Sequence, residues 1–171
     1  MIDGVEVGAT KRTVLGLYMT AKQAYEVWKA KPDRVVIIDV RTPAELLAVG
    51  HPPMAWKIPV ATQSSEWDPD LGHFRMKLLP DFVSRVRRVA SPDHTLLVMC
   101  RSGGRSALAA NLLARAGFTN VYNIIDGMEG DAVGNPDCRL PGQQLDNGWK
   151  NSGSPWTCDL TPHRMLFSGA R

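Results

Sequence analysis

Cysteine is scarce in this chain, with three residues in 171, and no two of them stand as a C-x-x-C pair. That excludes a zinc ribbon and a disulfide scaffold as the basis of the fold. An excess of charge of one sign is also missing, since the formal net charge is only +3. The basic residues are scattered except for Arg85, Arg87 and Arg88, which periodicity assigns to the solvated face of an amphipathic helix rather than to a nucleic-acid surface. No apolar run approaches the roughly 18 residues of a membrane span, and the N-terminus lacks the apolar core of a signal peptide. The expectation is therefore a soluble, cytoplasmic protein that engages neither nucleic acid nor membrane, and no motif calls for a metal or a cofactor. A length of 171 residues suits one domain with a proper core. Oligomeric state is left open.

What is present is an alternation of helix and strand patterns. Thr20 can cap a helix with Gln23 closing a capping box, and Ala21, Ala24, Tyr25 and Trp28 follow at helical spacing until Pro32. Val35-Val36-Ile37-Ile38 is a continuous β-branched run leading to Asp39, suited to a parallel strand buried on both faces. Thr42-Pro43-Ala44-Glu45 reads as the cap and first turn of a short helix, with Glu45 a first-turn acid favoured by the helix dipole. A short strand is expected within 55–60 and a long connection over 61–79 that flanks the site. A helix is expected over 80–90, a strand over 95–99, a helix over 105–116 stopped by Gly117, and a last strand over 121–125. Such alternation implies an α/β fold with a central, mainly parallel sheet and helices on both faces. Ligands on such sheets bind beyond the carboxyl ends of the strands, where Asp39 and Cys100 both fall.

Cys100-Arg101-Ser102-Gly103-Gly104-Arg105-Ser106 joins the strand to the helix. Unpaired N–H groups and the positive end of the helix dipole converge there and favour an anion. Thiolate is such an anion, Arg101 and Arg105 add positive charge, and Gly103 and Gly104 let the backbone curl without a Cβ clash. Cys100 is thus the candidate nucleophile. The alternative, an inert cysteine closing a core strand, leaves the arginines and paired glycines unexplained. His51, His73, His94 and His163 are not adjacent to Cys100 in sequence and are expected to be solvated surface residues.

Six stretches stand in order along the chain: Ile38-Asp39-Val40-Arg41-Thr42-Pro43-Ala44-Glu45, Gly50-His51-Pro52-Pro53-Met54-Ala55 through Ile58-Pro59, the Cys100 loop, Val121-Tyr122-Asn123, Asp126-Gly127-Met128, and 148–156, read as a closing helix. Together they resemble the motifs of single-domain rhodaneses, of the sulfurtransferase family. The match spans about 17–157, leaving 1–16 as an N-terminal extension and 158–171 as a tail expected to fray. The resemblance implies a persulfide cycle. Cys100 takes a sulfane sulfur from a small anionic donor such as thiosulfate and passes it to a thiophilic acceptor: cyanide, a thiol or a partner-protein cysteine. The loop residues Arg101, Ser102, Gly103, Gly104, Arg105 and Ser106 would hold the sulfur and attract the donor. Asp39 and Arg41 either order the pocket, as the resemblance implies, or form a buried structural ion pair.

Two other readings compete. A cysteine phosphatase or arsenate reductase also cradles an oxyanion at a helix terminus, but carries its arginine six positions after the cysteine, where this chain has Ser106. A non-enzymatic rhodanese-like module used for binding or regulation often lacks the cysteine altogether. The family's tryptophan is missing after Met128, and Glu129-Gly130-Asp131 runs on into a Gly, Pro, Asn and Asp rich stretch, so 131–147 reads as an inserted loop holding Cys138. Trp149 then takes over the packing and needs a partner for its indole N–H. Surface thiols, a disulfide pair and acceptors that resolve chemistry begun at Cys100 are three readings of Cys138 and Cys158, and unpaired bystanders are the expected one.

Overall fold

The computed structural model describes residues 7–70, 72–131 and 147–167. Its centre is a five-stranded sheet built from β1 (Tyr18–Met19), β2 (Val35–Asp39), β3 (Trp56–Lys57), and the later strands β6 (Thr95–Met99) and β7 (Val121–Ile124), in the order β1-β7-β6-β2-β3. Every pairing is parallel. Ile38, Leu96 and Val98 point to one face, where α3 (Phe82–Val86) and α4 (Gly104–Arg115) contribute Phe82, Val86, Ala109, Ala110 and Leu113. Ile37, Leu97 and Met99 point to the other, against Ala21 and Ala24 of α1 (Ala21–Ala30) and against Trp149. The mainly parallel sheet with helices on both faces is therefore as the alternation implied, and the β-branched run is buried on both sides because helices cover both.

Both expected capping boxes form. Thr20 accepts from the Gln23 N–H while Gln23 reaches back, and Thr42 and Glu45 do the same at the start of α2 (Pro43–Val49). α3 is shorter than the apolar periodicity suggested, because the Arg88 and Val89 N–H groups bond three residues back and tighten the chain into turns.

The stretch 61–79, expected as a connection, is an antiparallel hairpin of β4 (Ala61–Asp68) and β5 (His73–Leu78). The alternation of Phe74, Met76 and Leu78 with Arg75 and Lys77 was the available signal, a period of two over six residues. Asp68 closes the turn, its carbonyl accepting from the Gly72 N–H at 2.9 Å.

Three further expectations are corrected. Arg85 is not part of a solvated basic face: it is 4% exposed, donating to the carbonyls of Pro59 and Leu166 and to Asp81. Arg87 and Arg88 do stay exposed. His51 is fully buried, its backbone paired in both directions with Thr157. The tail, as far as Phe167, does not fray. Leu166 donates to the Lys57 carbonyl, Arg164 donates to the Met54 carbonyl and lies over the Trp56 ring, and Lys57 Nζ donates to Thr161 Oγ1 at 2.6 Å. A strand edge that ends at β3 offers unpaired backbone groups, and the tail takes them up.

Lys57 is a consequence of that arrangement, since the tail seals it from water. Burial pushes its ammonium down to about 8, against the pull of Asp39, and Arg164 lowers it further. A lysine lowered in the folded state releases its proton earlier than the unfolded chain does. Folding is therefore penalised below about pH 8, and the penalty lifts as pH rises toward the ordinary value of 10.5. Lys57→Met is expected to raise stability at pH 7 by about 1–3 kcal/mol, with the difference shrinking near pH 10. Urea unfolding at the two pH values measures it, and a less stable variant at pH 7 would contradict the account.

Candidate active site

β6 delivers Cys100 to the carboxyl edge of the sheet, and α4 begins four residues later at Gly104. The turn between them depends on Gly103, which sits at φ +97° in the left-handed region and caps α4. Bringing the chain round there aims the Gly103 N–H at Cys100 Sγ, 3.2 Å away. The Ser106 hydroxyl lies 3.4 Å from the same sulfur. The sequence suggested a ring of amides, whereas one amide and one hydroxyl reach the sulfur among the contacts of the described residues. Cys100 itself is only 2% exposed and packs into the α4 side of the core.

The two loop arginines differ. Arg105 is tied to Glu45 by two bonds, Nη1 to Oε2 at 2.7 Å and Nη2 to Oε1 at 2.5 Å. Glu45 is therefore more than a first-turn acid: one carboxylate closes the α2 capping box and clamps α2 to the loop. Burial works against its charge, but the Arg105 bond and charge and the Thr42 contacts outweigh this and hold it down to about 2. Arg101 is exposed, and its guanidinium has no partner among the described residues. Ser102 and Gly104 are both half-buried, and a Cβ added at Gly104 would meet nothing within 4 Å.

A carboxylate lowered by folding adds stability above its ordinary value, and that stability is lost as pH falls from about 4.5 toward 2. Glu45→Gln is expected to lower stability at pH 7 by about 2 kcal/mol and to flatten the acid limb between pH 4.5 and 2. Thermal melts across that range test it; a parallel pH profile in the variant would refute the assignment.

Asp39 and Arg41 form a buried ion pair, both fully enclosed, with Arg41 Nη2 on Asp39 Oδ2 at 2.6 Å and Nε on Oδ1 at 2.9 Å. Arg41 also donates to the Gly50 carbonyl. These contacts fit either of the two roles considered for this pair. The pair ties the end of β2 to the end of α2, the helix that carries Glu45.

Asn123, at the middle of β7, was not singled out as a site residue. It is fully buried, and its Oδ1 accepts from Ser106 Oγ at 2.6 Å. Its Nδ2 donates to the carbonyls of Gly103 and Lys11, each at 3.0 Å. Only the polar residue in the strand Val-Tyr-Asn-Ile hinted at this. The 9–16 segment is brought onto the loop by the same contacts, with Lys11 also bonded to the Ile125 carbonyl and paired with Asp131.

The turn after β7 forms the floor. The Met128 N–H donates to the Cys100 carbonyl and the Glu129 N–H to the Arg101 carbonyl, at 2.8 and 2.9 Å. Trp149 locks that turn from behind, its N–H on the Gly127 carbonyl and its indole on the Pro155 carbonyl. The closing helix expected over 148–156 is reduced to one 3-10 turn, Trp149–Asn151. Asp131 and Asn147, the ends of the stretch expected to be an inserted loop, are hydrogen-bonded to each other; Cys138 lies outside the described residues. Cys158 is a free, exposed thiol.

The described residues thus form a parallel sheet whose central strand delivers a cysteine to a helix N-terminus at the carboxyl edge. The chain belongs to the rhodanese-like family, whose domain model matches residues 21–132. It is 31% identical over 124 residues to an uncharacterized protein of Rickettsia conorii, covering 72% of this chain and 84% of that one. It is 36% identical over 90 residues to thiosulfate sulfurtransferase 16, chloroplastic, of Arabidopsis thaliana, covering 53% of this chain and 68% of that one. Among solved structures, Rv0390 from M. tuberculosis superposes with a TM-score of 0.63 at 30% identity, over 82% of this chain and 96% of the other. No helix among the described residues is long and apolar enough to cross a membrane.

Proposed function

We propose that the protein is a cytoplasmic sulfurtransferase working through a Cys100 persulfide, with thiosulfate or another persulfide-type compound as donor and cyanide or a thiol as acceptor. The observation that carries this reading is the Cys100 sulfur facing the Gly103 N–H at 3.2 Å and the Ser106 hydroxyl at the head of α4. Those donors and the helix dipole stabilise a thiolate without a general base. The thiolate attacks the outer sulfur of thiosulfate, the S–S bond breaks, and sulfite leaves with the bonding pair. The persulfide's terminal sulfur is then taken by cyanide, giving thiocyanate and restoring the thiolate.

Arg101 is the cation left to meet an anionic donor, because Arg105 is already neutralised by Glu45. Arg101→Ala is expected to raise KM for thiosulfate about tenfold with a smaller change in kcat, the mark of a lost charge-assisted contact to the bound donor. Initial rates over a range of thiosulfate test this, and an unchanged KM would move the donor site elsewhere.

The reading is tested by incubating the protein with thiosulfate and weighing the Cys100 peptide. A gain of one sulfur atom that cyanide removes supports it. No gain would leave a binding module, and Cys100-dependent hydrolysis of p-nitrophenyl phosphate would favour the phosphatase.

A further inference from the structure

Two groups reach the Cys100 sulfur, and both are held by one side chain. Asn123 lies 2.6 Å from the Ser106 hydroxyl through Oδ1 and 3.0 Å from the Gly103 carbonyl through Nδ2. Its second amide hydrogen goes to the Lys11 carbonyl at 3.0 Å. With both N–H bonds committed to carbonyls, the amide cannot turn over, so Oδ1 is obliged to face Ser106. The residue is fully buried, and no water competes for these contacts.

The Ser106 hydroxyl has one proton and two acceptors beside it, Asn123 Oδ1 at 2.6 Å and Cys100 Sγ at 3.4 Å. When the sulfur carries its own proton, the shorter bond to Asn123 takes the hydroxyl proton, and the serine oxygen presents lone pairs to the S–H. When the sulfur is anionic, a charge-assisted bond draws the same proton across. The carbonyl bond meanwhile holds Gly103 in the left-handed conformation that aims its N–H at the sulfur.

We propose that Asn123 is a positioning residue for the nucleophile, holding the Ser106 hydroxyl and the Gly103 turn so that both face the sulfur when it becomes an anion. The inference rests on Cys100 as the reacting thiol and extends that reading to the residue that prepares it. Asn123 touches no substrate and acts through Ser106 and Gly103. The charged groups around the loop stay in place in the variants below. They are Arg101 and Arg105 on the loop, Glu45 from α2, Asp39 and Arg41 at the end of β2, Lys11 and its partner Asp131, and Glu129.

The experiment is alkylation of Cys100 by iodoacetamide across a pH series, followed on the Cys100 peptide in the full chain. This reports on the thiol whatever its substrate. If the wild type alkylates as described yet transfers no sulfur, the proposed function fails and this inference stands. Asn123→Leu, close in shape but without polar atoms, is expected to alkylate about tenfold more slowly at pH 7 and to recover the wild-type rate at alkaline pH. Recovery separates lost thiolate stabilisation from general damage. Ser106→Ala is expected to give a smaller slowing of the same kind, and adding Asn123→Leu to it should slow alkylation less than Asn123→Leu does in the wild type. Two results overturn the proposal: a folded Asn123→Leu protein with the wild-type rate at pH 7, or a loss that alkaline pH does not restore. Should Asn123→Leu fail to fold, Ser106→Ala decides, and an unchanged rate in that variant overturns it.

Discussion

Cys100→Ser is expected to abolish sulfur transfer, lowering the rate at least a thousandfold, the order of loss seen when a covalent nucleophile is deleted. The hydroxyl oxygen of serine can accept the same Gly103 N–H and sit beside Ser106, so the loop should keep its shape. What disappears is the thiolate, because a serine hydroxyl is not ionised at neutral pH and cannot form a persulfide. Thiocyanate production from thiosulfate and cyanide measures the loss, with circular dichroism to confirm that the variant folds. A serine variant that retained transfer would place the nucleophile elsewhere.

Gly127→Ala is expected to cost about 2–4 kcal/mol of stability and to lower activity about a hundredfold. Gly127 sits at φ +56°, and a Cβ there would come within 2.5 Å of the Arg101 carbonyl oxygen and 2.6 Å of the Cys100 carbonyl oxygen. Both obstacles are backbone, so neither can rotate aside. Those two carbonyls are also the ones that Met128 and Glu129 hold, and moving them shifts the cysteine relative to its donors. Gly104→Ala is the control for stability: its Cβ meets nothing within 4 Å, and it is expected to melt at the wild-type temperature or slightly above. Equal melting temperatures for the two alanine variants would refute the role given to the turn after β7.

The site's partners explain why its parts were unequally legible. Cys100, Gly103 and Ser106 lie within seven residues, and a strand pattern breaking into a helix pattern at a glycine pair announces their geometry locally. The Thr42–Glu45 capping box is legible for the same reason. Glu45's bond to Arg105 is not, since it spans 60 positions and closes only when α2 and α4 meet over the sheet. Asn123 is held to Lys11 across 112 positions, and nothing in either local sequence signals the other. Arg85 was misread because it shares a basic cluster with the exposed Arg87 and Arg88, and His51 because a lone polar residue looks solvated until its burial is known. The hairpin over 61–78 was misread differently: its period of two was present, but Asp68-Pro69 and Gly72 drew the whole stretch toward a loop.

By itself the chain determined its four α-helices, the strands β2, β3, β6 and β7, their parallel arrangement and the cysteine loop, because hydrophobic period, capping residues and glycine placement act over a few positions and survive in any folded context. Only the tertiary structure decided which loop arginine is paired with Glu45, which side chain bonds both Ser106 and Gly103 beside the sulfur, and that the tail closes over Lys57. Those outcomes depend on contacts between separate segments of the chain, and such contacts exist only once the sheet has brought the segments together.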